Sequence, residues 1–163
     1  MRVWILLFLV LAIAWYLTQQ PPGIDKVLVL SCMDYRFITQ TVQHLKDTQG
    51  QTFDYFVLAG ASLGYNESQR NPELRAWDVT FEDHIELAID LHQINEIVII
   101  DHSDCGMYQA TYNDYEQNWK QLHVSNIKQC INSLKQKHPE LKYKGILILE
   151  NDDSPEFEVV VEI

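Results

Sequence analysis

Basic residues are scarce in this chain. Lysine and arginine number 12 against 23 aspartates and glutamates, and the formal net charge is −11. No lysine or arginine run is long enough to track a phosphate backbone, which excludes nucleic acid as a partner. Cysteine is also sparse. Cys32, Cys105 and Cys130 form an odd set, which argues against a disulfide framework and leaves metal binding or burial as their uses. There is no internal repeat and no low-complexity tract. At 163 residues the chain is too short for two comfortable domains and long enough for one with a real core.

Apolar residues are concentrated at the start. Arg2 precedes the unbroken run Val3 to Leu17, followed by "TQQPPG". As a helix the run spans roughly 22 Å, short of the ~30 Å hydrocarbon core, but Trp4, Trp15 and Tyr16 are types that sit at bilayer interfaces. Three readings stand: an uncleaved anchor, a signal peptide cut after "AIA" at 12–14, and a buried helix. The anchor is preferred, because cleavage at "AIA" would leave a short apolar core and expose Trp15 and Tyr16. Residues 1–19 are thus read as a hydrophobic anchor or signal segment, 20–25 as a linker and 26–163 as the folded domain. The expected location is membrane-anchored by a single span, or exported. Arg2 ahead of the run, with no basic cluster after it, places the domain on the non-cytoplasmic side.

Beyond the breaker "PPG", "KVLVLS" (26–31) reads as a strand, and Ile38, Val42 and Leu45 set a helix over 36–49 that stops at Gly50. "DYFVLAGAS" (54–62) is a second strand running into a small-residue turn. Residues 63–78 have no steady period and read as a surface excursion broken by Pro72. Phe81, Ile85, Ala88, Ile89 and His92 mark one face of a helix from Thr80, and "EIVIID" (96–101) is apolar enough for a strand buried on both faces. Ser125 is the expected cap of a further helix bearing Ile127, Cys130, Ile131 and Leu134, ended by His138-Pro139. Two last strands, 145–150 and 157–163, flank a polar turn and predict an antiparallel hairpin. The expected fold class is α/β: a mainly parallel central sheet flanked by helices, with an antiparallel C-terminal edge strand.

In such a sheet the carboxyl ends of the strands carry the ligand site. Cys32 lies at the end of the first strand, Gly60 just past the second, and His102 and Cys105 just past the third, so residues far apart in sequence meet in space. Two thiolates and an imidazole are a zinc set that leaves a fourth position open, which marks a catalytic rather than a structural site. Asp34 is either a fourth ligand or an acceptor for a metal-bound water. Arg36 decides between these, because a guanidinium can hold the carboxylate bidentately, off the metal and ionised.

"CMDYR" followed by "HSDCG", in this order and on these elements, resembles the β-class carbonic anhydrases, whose pattern is Cys-x-Asp-x-Arg and then His-x-x-Cys-Gly. The resemblance spans roughly Val27 to the C-terminus. It implies zinc held by Cys32, His102 and Cys105, with Asp34 and Arg36 as the catalytic dyad. It also implies reversible hydration of carbon dioxide to bicarbonate and a proton through a zinc-bound hydroxide, and a homodimer or higher homo-oligomer with the site near the subunit boundary. The 26–163 domain is thus expected to be a zinc-binding catalytic domain. One departure is plain: where the family has Arg-Asn-Ala-Gly, this chain has Val57-Leu58-Ala59-Gly60.

Two rivals are kept. One is hydrolysis of carbonyl sulfide or carbon disulfide on the same site; the other is a non-catalytic, zinc-bearing, membrane-tethered scaffold. Asp101 and Asp104 either take the second nitrogen proton of His102 or stand as solvated loop acids. Tyr108 is either at the pocket mouth or a packed aromatic, and Cys130 belongs to the core. His44, His92, His123 and His138 have no partner at ligand spacing and receive no role. "NES" at 66–68 is a glycosylation acceptor only in a secretory lumen.

Overall fold

The computed structural model describes residues 25–50, 52–74, 76–151 and 154–163. The anchor or signal segment at 1–19 lies outside the described residues, and among those that are described no helix is long and apolar enough to cross a membrane. The strands are β1 (Val27–Cys32), β2 (Phe53–Leu58), β3 (Glu96–His102), β4 (Lys142–Leu149) and β5 (Glu156–Glu162). They form one sheet in the order β2-β1-β3-β4-β5, parallel except for the antiparallel β4–β5 pair. This is the expected fold class. β3, read as buried on both faces, is buried at every residue.

The helices are α1 (Ile38–Gln49), α2 (Ser62–Ser68), α3 (Ala76–His92), α4 (Gly106–Thr111) and α5 (Tyr115–Lys137). Alternation along the strands sends Leu28, Leu30, Ile97 and Ile99 to one face, where they pack with residues of α2, α3 and α5 such as Tyr65, Phe81, Ile85, Ile127 and Ile131. Val27, Val29, Val98 and Ile100 go to the other, against Phe37 and Leu45 of the α1 side. Cys130 sits in the first cluster as expected, fully buried.

Three expectations need correction. The supposed surface excursion begins with α2, in which Ser62, Leu63, Gly64, Tyr65, Asn66 and Ser68 are all buried. A helix enclosed on all sides shows no apolar stripe, and its buried amide donor is held internally: Asn66 Nδ2 donates to the Asn126 carbonyl and to Asn126 Oδ1, both at 3.0 Å. The "NES" sequon is therefore closed once the chain is folded. Ser125 is not a cap but an exposed residue within α5, which starts at Tyr115. The first part of α5 buries only Tyr115 and His123, too little to set a visible period. His92, placed on the apolar face of its helix, is exposed and pairs with Asp54 Oδ2 at 2.7 Å.

Close packing of α2 on the end of β2 rests on Gly64, where a Cβ would lie 2.2 Å from the Ala59 carbonyl oxygen. Because that atom is backbone and cannot rotate away, Gly64→Ala is expected to destabilise the domain by about 3 kcal/mol, the upper end for overpacking. Urea unfolding measures this, and a midpoint equal to wild type would show that the helix shifts freely.

Candidate metal centre

Cys32 ends β1, His102 ends β3 and Cys105 precedes α4, so all three stand at the carboxyl edge of the sheet. Their ligand atoms lie within 4.8 Å of one another, a cluster able to hold a metal ion. Cys32 is half-buried, and Cys105 and His102 are buried. The His102 ring packs on Phe37 at 4.7 Å between centroids, and neither of its buried nitrogens has a hydrogen-bond partner. An orphaned buried imidazole is costly, and a metal bond relieves part of that cost. Two sulfurs and one imidazole nitrogen are a donor set that zinc accepts, so the residues fit the group.

The two thiols divide their protons unequally. The Cys32 thiol is pushed down because the Cys105 thiol donates to its sulfur, with further help from His102 and the Gly60 backbone N–H against the opposing effect of burial. Cys105 is pushed up, chiefly by facing the Cys32 sulfur and by burial, while the backbone N–H groups of Tyr108 and Met107 act the other way. Gly60 has φ 71°, and a Cβ there would meet Met107 Sδ at 2.8 Å, so only glycine brings this turn so close to the α4 turn.

Asp34 and Arg36 form the expected clasp. Arg36 Nε donates to Asp34 Oδ1 and Oδ2 at 3.1 and 3.2 Å, Nη2 donates to Oδ2 at 2.7 Å, and the Arg36 backbone N–H donates to Oδ1 at 3.0 Å. Asp34 Oδ2 is 3.8 Å from His102 Nε2, so the clasped carboxylate stands beside the cluster. The clasp holds the Asp34 carboxyl below the usual carboxylate range, and a hydrogen bond from Arg36 does the same for Asp104.

Asp104 is a partner that sequence reasoning missed. Arg36 Nη1 donates to Asp104 Oδ2 at 2.7 Å and Nη2 to the Asp104 carbonyl at 3.0 Å, while Asp104 Oδ1 accepts from Gln109 Nε2 at 2.7 Å. One guanidinium thus ties the loop after β1 to the loop after β3. Glu150, beyond β4, adds a looser contact at 3.6 Å. Asp104 is the solvated loop acid of the two readings, though it also serves Arg36, whereas Asp101 does neither of the things expected of it and is buried against other elements. Tyr108 is the packed aromatic, fully enclosed. The cluster opens into a cleft of about 350 Å³ whose wall includes Met33, Tyr35, Ala59 and Met107, beside the clasp.

A mainly parallel α/β sheet with a Cys-His-Cys cluster at its carboxyl edge defines a class of α/β proteins with a candidate metal site, and comparison narrows the class. Residues 24–161 match the family described as "Putative carbonic anhydrase", and the chain belongs to that family. An uncharacterized protein of Rickettsia conorii is 33% identical over 126 residues, covering 74% of this chain and 66% of that protein, just under two thirds of its length. Another, from Rickettsia bellii, is 32% identical over 126 residues, covering 74% of each. Among solved structures, β-carbonic anhydrase isoform I of Trichomonas vaginalis aligns with a TM-score of 0.54 at 14% identity over 99% of this chain and 98% of its own. The β-carbonic anhydrase CafA of Aspergillus fumigatus aligns at 0.57 and 16% identity, over 99% and 88%. At such identities these structures support the fold alone.

Proposed function

We propose that the chain is a zinc-dependent carbonic anhydrase in which Cys32, His102 and Cys105 hold the metal and Asp34 and Arg36 are the catalytic dyad. The observation that carries the reading is the Arg36 clasp on Asp34 beside the Cys-His-Cys cluster, because a purely structural metal has no use for a fixed, ionised carboxylate next to an open cleft. When bound, zinc supplies a nucleophile near neutral pH by acidifying water. Asp34 does the rest of the local work: its carboxylate, held by Arg36, is a fixed acceptor for one proton of that water and orients it. Met33, Ala59 and Met107 give the cleft an apolar wall suited to a small linear molecule with no charge. Water and carbon dioxide become bicarbonate, and one proton leaves to solvent.

The proposal includes a homo-oligomer. Tyr35 and Met33 are 83% and 61% exposed at the rim of the cleft, and large apolar side chains there are suited to cover by a second copy of the chain. The related enzymes of Sordaria macrospora, which align at a TM-score of 0.51 and 15% identity, are described as tetrameric. It also includes membrane attachment through 3–17 with the domain on the non-cytoplasmic side, which rests on the sequence alone. The deciding experiment is stopped-flow carbon dioxide hydration by the full chain, with zinc measured on the same sample. Fast hydration supports the enzyme. A full zinc complement with no hydration sinks this substrate assignment and sends the search to carbonyl sulfide and carbon disulfide.

A further inference from the structure

Asp101 neighbours the proposed ligand His102 at the end of β3, yet the catalytic reading gives it nothing to do. It is 1% exposed, and a carboxylate so deep needs its lone pairs filled. Oδ1 accepts from the Ser62 backbone N–H at 3.1 Å. Oδ2 accepts from Ser62 Oγ at 2.6 Å and from the Tyr108 hydroxyl at 2.7 Å, and faces His123 Nδ1 at 3.1 Å. All of these partners are themselves buried. Successive strand residues point to opposite faces, so Asp101 points away from the His102 ring and reaches the metal centre only through its partners.

Those partners lead to both sulfurs. Ser62 follows Gly60 and Ala61, which have φ of 71° and 39°, and Gly60 lines the same cleft as Cys32. For Ala61 a positive φ is a strained conformation, maintained here because the next residue is bonded twice to Asp101. Tyr108 lies in the first turn of α4 and packs with Cys105 and Met107 in one buried cluster. Its side chain ends on Asp101, and its ring packs on His123 at 3.6 Å between centroids.

We propose that Asp101 is a positioning residue for the metal centre: through Ser62 and Tyr108 one buried carboxylate fixes the two turns that line the cleft beside Cys32 and Cys105. This rests on those cysteines being ligands. Ligands are held in place by the turns packed around them, so freeing those turns weakens metal binding without removing a ligand.

The test is Asp101→Asn in the full chain, with zinc affinity read by competition against a chromophoric chelator. Asparagine has the same shape, but its NH2 group cannot accept from the Ser62 backbone N–H at one position, nor from the Ser62 and Tyr108 hydroxyls at the other as the carboxylate does. Zinc affinity is expected to fall about 10–100-fold, the range for residues that support ligands. The sulfur-to-metal charge-transfer band of the cobalt(II) form is expected to shift. Ser62→Ala and Tyr108→Phe should each give a smaller loss that does not add to that of Asp101→Asn. These two variants carry the same reading if Asp101→Asn does not fold. Lower thermal stability with wild-type zinc affinity and an unchanged cobalt spectrum would mean a structural role only and overturns the proposal. A wild-type chain with no zinc affinity overturns the metal-centre reading, and this inference with it.

Discussion

Asp34→Asn is expected to leave the zinc content unchanged and to lower kcat for carbon dioxide hydration by about 100-fold or more, the scale of a positioned proton acceptor. Asparagine fills the same space, but it cannot offer two equivalent charged oxygens to Arg36, and one of its two positions becomes a donor. Arg36 still has Asp104 to hold it, so the loops stay tied and the effect is confined to the chemistry. Because Arg36 keeps the native Asp34 carboxyl below the ordinary carboxylate range, the side chain is ionised throughout the neutral region, and the loss should be uniform there. Zinc content and stopped-flow rate on one sample give the answer. Zinc lost in step with activity would make Asp34 a ligand instead.

Cys32→Ser is expected to abolish stable zinc binding, a larger effect than the ~100-fold ceiling for changing a supporting residue. Serine is close in size but stays protonated, where Cys32 is the thiol most ready to lose its proton. Cys32 is only half-buried, so the variant should fold, and a circular dichroism spectrum like that of wild type would exclude simple misfolding. Cys130→Ser is the control: it sits in the core away from the cluster and should retain its zinc. Full metal in the Cys32 variant would refute the ligand assignment.

The Cys-His-Cys cluster and the clasp were legible because their residues follow strand ends, and strands with continuous apolar runs announce themselves. Val27–Leu30 and Ile97–Ile100 permit no reading but a buried strand, and the residues just after them fall at the ligand edge of the sheet. α2 was illegible for the converse reason. Enclosure on every side removed the polar face that gives a helix its period, and Gly64, Asn66 and Ser68 made the segment look like loop. The Asp101 network escaped because its members sit on β3, α2, α4 and α5, at separations that no local pattern records. His123 was left without a role for that reason, although it is one of the most enclosed polar residues in the fold. Asp104 was visible inside "HSDCG", but its partner Arg36 was already assigned to Asp34, and one guanidinium serving two acids is a fact of geometry.

Folding speed follows from the strand order. Among the described residues three of the four pairings are parallel, and each joins segments separated by a crossover, so chain closure must precede any ladder bond. Among the described strands only β4 and β5 are neighbours in sequence joined by a short connection. β1, held between β2 and β3, cannot be zipped on both sides until residues well beyond it have been made and brought back. Cys32 and His102 meet in that same non-local step, so the candidate metal cluster is assembled by long-range pairing of the sheet rather than by any local turn.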